Sequence, residues 1–119
     1  MGLRIAAALI IALLPATAMA RGVQDFQLTN RTGYVISEVY VSPVNTNDWE
    51  EDVLGRDVLS DGEAVDITFS PRENICDYDI KVIYDDKDEA EWEDFDLCAV
   101  SKISLFYDAR NGETSAEYE

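Results

Sequence analysis

The sequence predicts an all-β protein: an antiparallel β-sandwich of about seven short strands, immunoglobulin-like in size, with one short helix near residues 48–54. Three observations carry this expectation. Runs rich in Val, Ile and aromatic residues alternate apolar and polar side chains, as in residues 65–70 (VDITFS) and 76–84 (CDYDIKVIY), which is the period of a strand with one buried face. Turn-forming clusters (NRTG, DG, DDKD, RNG) separate these runs at regular intervals. A single segment, NDWEEDVLG, carries helical spacing instead.

The first strand is expected over residues 23–30, with Phe26 and Leu28 on one face and Gln27 and Thr29 on the other. Asn30 to Gly33 forms a turn. Residues 34–42 (YVISEVYVS) have the strongest β-propensity in the chain. Their apolar side chains occur on both parities (Ile36 and Tyr40; Val35, Val39 and Val41), which predicts a central strand covered on both faces. Pro43 has no N–H to give to a ladder and ends it.

In the acidic segment, Asn47 is placed as N-cap and Glu50 at N3, a capping-box-like start. The carboxylates of Asp48, Glu50, Glu51 and Asp52 then gather at the positive end of the helix dipole. Gly55 is placed to close the helix at C′. Trp49, Val53 and Leu54 would face inward, which makes Trp49 and Gly55 structural residues.

Asp61-Gly62 signals a turn before the strands at 65–70 and 76–84. Asp85 to Asp88 forms a polar hairpin tip, and the strand at 89–97 is anchored by Trp92, a third structural residue. Residues 102–108 (KISLFYD) pair through the Asn111-Gly112 hairpin signal with residues 114–118.

Residues 1–20 have the pattern of a cleaved secretory signal peptide. Arg4 precedes an apolar run at 5–14 (IAAALIIALL), Pro15 breaks it, and Ala18-Met19-Ala20 is a small-x-small cleavage pattern. Ten apolar residues are too few to cross a bilayer comfortably. The expectation is a single domain over 21–119, periplasmic or secreted, with no membrane anchor after cleavage. Removing the leader takes one of the nine basic residues and none of the 25 acidic ones, so eight positive charges face 25 negative and the net charge is −17. A chain so acidic repels phosphate backbones and anionic lipid surfaces, which excludes nucleic acid as an expected partner. An unknown protein or a cationic ligand fits better, and a monomer is expected.

Cys76 and Cys98 are the two cysteines, and in an exported chain they read as one disulfide. A zinc site would need further Cys or His ligands, yet the chain has no histidine. Missing histidine also removes Ser-His-Asp and Cys-His catalysis in their common forms. No P-loop, G-x-S-x-G, G-x-G-x-x-G or H-E-x-x-H motif occurs. A non-enzymatic binding or accessory protein is the expectation, with no catalytic or cofactor-binding residue assigned.

Two alternatives remain. Calcium takes oxygen ligands, and Asp85, Asp86, Asp88 and Glu89 are candidates at one hairpin. Asp77 with Asp79, and Asn45, Asn47 and Asp48, are weaker groupings, and Asp94 and Asp96 around Phe95 are equally ambiguous. None matches an EF-hand loop. A small enzyme using paired carboxylates is the other alternative. Tyr34, Tyr40, Trp49 and Trp92 could offer an aromatic surface to a partner.

The segments TGYVISEVYVSP, NDWEEDVLG, CDYDIKVIYDD and EWEDFDLC together resemble a family of small, exported, mainly proteobacterial β-rich proteins with no established function. Its pattern matches Leu28 to Gly33, Val39 to Pro43, Trp49 to Gly55 and Cys76 to Cys98. The resemblance implies export, a β-rich domain and paired cysteines. Some members bear the name argininosuccinate lyase. That enzyme class is large, mostly helical and oligomeric, and 99 residues could not form its site, so the resemblance supplies no catalytic residues.

Overall fold

Seven strands form two facing sheets in the computed structural model, which describes residues 22–46, 48, 49 and 51–119. Residues 1–20, expected from the sequence to be a signal peptide, and the expected capping pair Asn47 and Glu50 lie outside the described residues. The strands are β1 (Phe26–Arg31), β2 (Ile36–Pro43), β3 (Ala64–Ile67), β4 (Asp77–Tyr84), β5 (Glu89–Asp96), β6 (Lys102–Asp108) and β7 (Glu113–Tyr118). One sheet has the order β3-β1-β6-β7 and the other β2-β4-β5. The molecule is an all-β sandwich.

Neighbours are antiparallel with one exception. β1 and β6 run parallel, with Leu28 opposite Ile103. Parallel neighbours require a long crossover, supplied here by the chain that passes through β2, β4 and β5 in the other sheet. Leu28, Ile36, Val39, Ile80, Val82, Leu97, Ile103 and Leu105 fill the space between the sheets and are sealed from water. Each side chain of this kind contributes about 1.5–3 kcal/mol by burial.

β2 is an edge strand, contrary to the expectation of a central one. Its two-parity apolar pattern arises from a bulge. Ile36 pairs with Tyr84 but Glu38 with Ile83, so Ser37 is an extra residue. An inserted residue shifts every later side chain to the other face. Ile36 and Val39 therefore both reach the core, and Tyr40 points outward.

No helix forms over 48–54 among the described residues. The segment runs along the open edge of β2 instead. Val53 N–H donates to the Val39 carbonyl at 2.8 Å, and the Asp52 carboxylate accepts from the N–H groups of Val39 (2.9 Å) and Leu54 (3.0 Å). Asp side chains compete for backbone donors in this way, and one or two helical turns cannot resist the competition. Leu54 is buried, whereas Val53 is 40% exposed and Trp49 only half-buried. Gly55 does take a left-handed conformation (φ +63°), but at a turn rather than a helix end.

The Cys76–Cys98 disulfide closes the base of the β4–β5 hairpin, with a Cα–Cα separation of 5.2 Å. Cys76 is half-buried and Cys98 exposed, so the bridge lies at the rim and not in the core. The Leu97 N–H donates to the Cys76 carbonyl at 2.8 Å beside it.

Candidate functional site

One end of the sandwich gathers three tyrosines from three separate stretches of chain. Tyr34 precedes β2, Tyr84 ends β4, and Tyr107 lies near the end of β6. Their ring centroids are 5.9 Å (Tyr34–Tyr84), 6.1 Å (Tyr34–Tyr107) and 5.7 Å (Tyr84–Tyr107) apart, with interplanar angles of 65°, 71° and 44°. These inclined contacts are the ones the ring quadrupoles favour. Together with Asp86, Asp88 and Ala109, the rings line an open cleft of about 220 Å³.

Backbone pairing sets two of the rings. Tyr84 sits opposite Ile36 in the β2–β4 ladder, and Tyr107 opposite Thr114 in the β6–β7 ladder. Tyr34 belongs to the crossover between the sheets and is held differently. Asn30, fully buried, donates its Nδ2 to the carbonyls of Tyr34 (2.7 Å) and Leu59 (2.9 Å). Its Oδ1 accepts from the N–H of Thr32 (2.9 Å) and from its hydroxyl (2.7 Å). Gly33 takes φ +87° between them, and its N–H donates to the Asp61 carboxylate at 2.8 Å. A non-glycine residue would be strained there.

The cleft grades from dry to wet. Tyr84 is 4% exposed, while Tyr34 is 45% exposed at the mouth. Burial pushes the Tyr84 hydroxyl up to about 12, with Tyr107, Tyr34 and Asp86 adding to the shift and the Thr32 hydroxyl opposing it. The Tyr84 Oη is sealed from water and makes no hydrogen bond of good geometry, the neighbouring Thr32 hydroxyl donating to Asn30 instead. Asp86 and Asp88 rim the opening from the β4–β5 turn, where the Asp86 carboxylate accepts the Asp88 N–H at 2.9 Å. Lys87 occupies the left-handed position of that turn (φ +77°).

The other sequence candidates are distributed over the molecule. Asp85, Asp86, Asp88 and Glu89 are all exposed at the β4–β5 hairpin, with Asp86 and Asp88 in the cleft lining. Among the described residues, Cys76, Asp96 and Cys98 form the one cluster of three acid or thiol groups, and both sulfurs there belong to the disulfide. The Asp79 carboxylate accepts the N–H of Asp94, which has φ +68° at a bulge in β5. Asp96 accepts the N–H of Cys98 at 3.1 Å. Asp77 is exposed and pairs with Asp96 across the ladder.

Tyr34, Tyr40, Trp49 and Trp92 do not form one surface. Tyr40 and Trp49 lie on the outer face of β2 around Lys81, whose Nζ is 5.2 Å and 5.1 Å from the two ring centroids. The Tyr40 hydroxyl donates to Glu38. Trp92 is a core residue, 4% exposed, and its Nε1–H donates to the Ser115 carbonyl at 2.7 Å, tying β5 to β7. Sequence reasoning missed Tyr84 and Tyr107 as site residues. The available signal was position, since each of the three tyrosines adjoins a turn cluster.

No protein-family model, curated protein or solved structure matches the chain. The class defined here is thus a structural one, a disulfide-closed acidic β-sandwich with an aromatic cleft at one end. Among the described residues no helix is long and apolar enough to cross a membrane. The disulfide is the kind of bond that persists in non-cytoplasmic surroundings.

Proposed function

We propose that this protein is an exported, non-enzymatic binding module whose ligand or partner carries positive charge, engaged at the Tyr34–Tyr84–Tyr107 cleft. The observation that carries the reading is the cleft itself: three clustered tyrosines, Tyr34 exposed at the mouth and Tyr84 buried at the base, with two exposed aspartates in the lining. Rings attract cations through their quadrupoles, and the net charge of −17 after leader removal adds long-range attraction. Export is supported by the signal-peptide pattern at 1–20 together with the disulfide. A binder rather than a catalyst is supported by the sequence, which has no histidine for the common catalytic triads and none of the familiar catalytic motifs.

The test is calorimetric titration of the disulfide-bonded protein with a panel of organic amines and a short lysine-rich peptide. Saturable binding that Tyr107→Leu weakens and Tyr118→Ala, remote from the cleft, leaves intact supports the reading. Absence of saturable binding, or binding indifferent to Tyr107→Leu, overturns it.

A further inference from the structure

We propose that the tyrosine cleft recognises a quaternary or fully methylated ammonium group with no anion attached beside it. The inference rests on the cation-binding reading above and narrows it from any positive charge to one enclosed by methyl groups.

Geometry is the first argument. The three centroids form a nearly equilateral triangle with sides of 5.7, 5.9 and 6.1 Å. A cation seated about 3.5 Å above that triangle lies roughly 5 Å from all three rings, within the ~6 Å range of cation–π attraction. The cleft of about 220 Å³ has room for a trimethylammonium head.

Hydrogen-bond supply is the second. A primary ammonium brings three N–H donors that must keep their partners when water leaves. The dry end of this cleft offers ring carbon and a single buried phenol oxygen, that of Tyr84. The aspartates stand at the mouth, where they can attract the charge without replacing three waters. A methylated ammonium has no N–H to satisfy, and its methyl groups suit the apolar floor. The Lys81 ammonium between Tyr40 and Trp49 provides the contrast, since there only two rings meet the cation and the outer face of the sheet leaves water beside it.

Pre-organisation is the third. Two rings stand on paired strands, and the third is fixed through the buried Asn30. Little side-chain freedom remains to be lost on binding. The rim supplies selectivity. A glycine betaine or phosphocholine head would bring its anion towards Asp86 and Asp88, and like charges placed together are costly.

The probes are choline, tetramethylammonium, ammonium, glycine betaine and 3,3-dimethylbutan-1-ol, the uncharged isostere of choline, followed by calorimetry and aromatic NMR shifts. A trimethyl-lysine peptide is expected to bind like choline and vesicles bearing phosphocholine heads are not; vesicle binding as tight as choline would overturn the rejection of an attached anion. Choline and tetramethylammonium are expected to bind at least ~10-fold more tightly than ammonium, betaine or the neutral isostere, the size of effect two or three ring contacts provide. Tyr107→Leu should weaken choline ~10-fold or more and Tyr107→Phe should restore it. Asp86→Asn with Asp88→Asn, at exposed turn positions, should weaken choline a few-fold and relax the rejection of betaine.

If ammonium or the lysine-rich peptide binds as well as choline and depends on Tyr107, the methyl-group inference falls and the cation-binding reading stands. Equal binding of the neutral isostere also overturns the inference. If no cation binds, both fall.

Discussion

Asn30 is the residue whose replacement should be felt most widely. Leucine keeps the branching at Cγ but is larger, so Asn30→Leu removes the polar bonds without opening a cavity, and any overpacking adds to the loss. Four hydrogen bonds disappear, two donated to Tyr34 and Leu59 and two accepted from Thr32. The Leu59 carbonyl keeps the Ile36 N–H at 2.9 Å, and the Tyr34 carbonyl keeps the Thr32 hydroxyl at 3.3 Å. The Thr32 N–H is left without a partner in a site 3% exposed. One orphaned donor at about 1–3 kcal/mol, plus two lost bonds at about 1 kcal/mol each, less some apolar gain, gives roughly 3 kcal/mol. Domains of this size have only about 5–15 kcal/mol in total. Urea unfolding followed by tryptophan fluorescence should show the midpoint falling by roughly 1–3 M at an ordinary slope. Asn30→Asp adds a pH signature. The new carboxylate would face two carbonyl oxygens in a dry site, so its folded pKa rises above the unfolded value near 3.9. A group raised in the folded state contributes stability below its unfolded pKa and loses it as pH climbs through the folded one. Asn30→Asp should therefore be weakest at pH 7 and recover on acidification. Both variants lying within about 0.5 kcal/mol of wild type, or an Asn30→Asp variant without pH dependence, would refute the role given to Asn30.

Three other outcomes can be measured on the same protein. Trp92→Ala should cost about 3–5 kcal/mol, as truncation of a buried aromatic does, whereas half-buried Trp49→Ala should cost much less and chiefly free the Lys81 ammonium; similar unfolding midpoints for the two would contradict this assignment. Reducing the Cys76–Cys98 bridge, whose cysteines are 22 residues apart, should lower stability by about 3 kcal/mol on the chain-entropy account, read as the shift in urea midpoint with and without reductant. In an absorbance titration, Tyr84 and Tyr40 should ionise late, near pH 12, the first held up by burial and the second by its bond to Glu38. Unfolded tyrosines ionise near 10, so between pH 10 and 12 the unfolded chain binds fewer protons and the native fold loses stability as pH rises. Tyr84→Phe should remove one late-titrating group, and an unchanged titration would count against the burial of that ring.

Much of the sandwich could be read from local pattern because its hairpins are local. β4 and β5 alternate on either side of an acidic tip, β6 and β7 flank Asn111-Gly112, and the two cysteines close the first hairpin. Two features depended on competition that periodicity does not register. In β2 the extra residue Ser37 gives a two-parity pattern that mimics a strand buried on both faces. At 48–54 the helix signal was real, but the Asp52 carboxylate found one backbone donor on β2, at Val39, and one in its own segment, at Leu54, and the covered edge prevailed. The site was less legible. Tyr34, Tyr84 and Tyr107 are far apart in the sequence, and only closure of the two sheets joins them. Of the proposed calcium quartet, Asp86 and Asp88 line the cleft beside the rings.

The cleft and the fold are coupled through the same few atoms. Tyr34 is the most exposed of the three rings, so apolar packing alone would hold it loosely. Its backbone is instead fixed by Asn30 and Thr32, while the N–H of Gly33 is held by Asp61 from the turn before β3. The same Asn30 receives the Gly62 N–H on its carbonyl at 2.6 Å and donates its own N–H to Glu63 at 2.9 Å. Crossover, turn and ring thus share one buried polar centre, and such centres lose more than a single bond when one member is removed. A ligand held against Tyr34 would draw on that rigidity, and it would return stability to the crossover in proportion to its occupancy. Loss of the Asn30 amide should consequently weaken cation binding even though the amide touches no ligand, because the third ring would no longer be held over the other two.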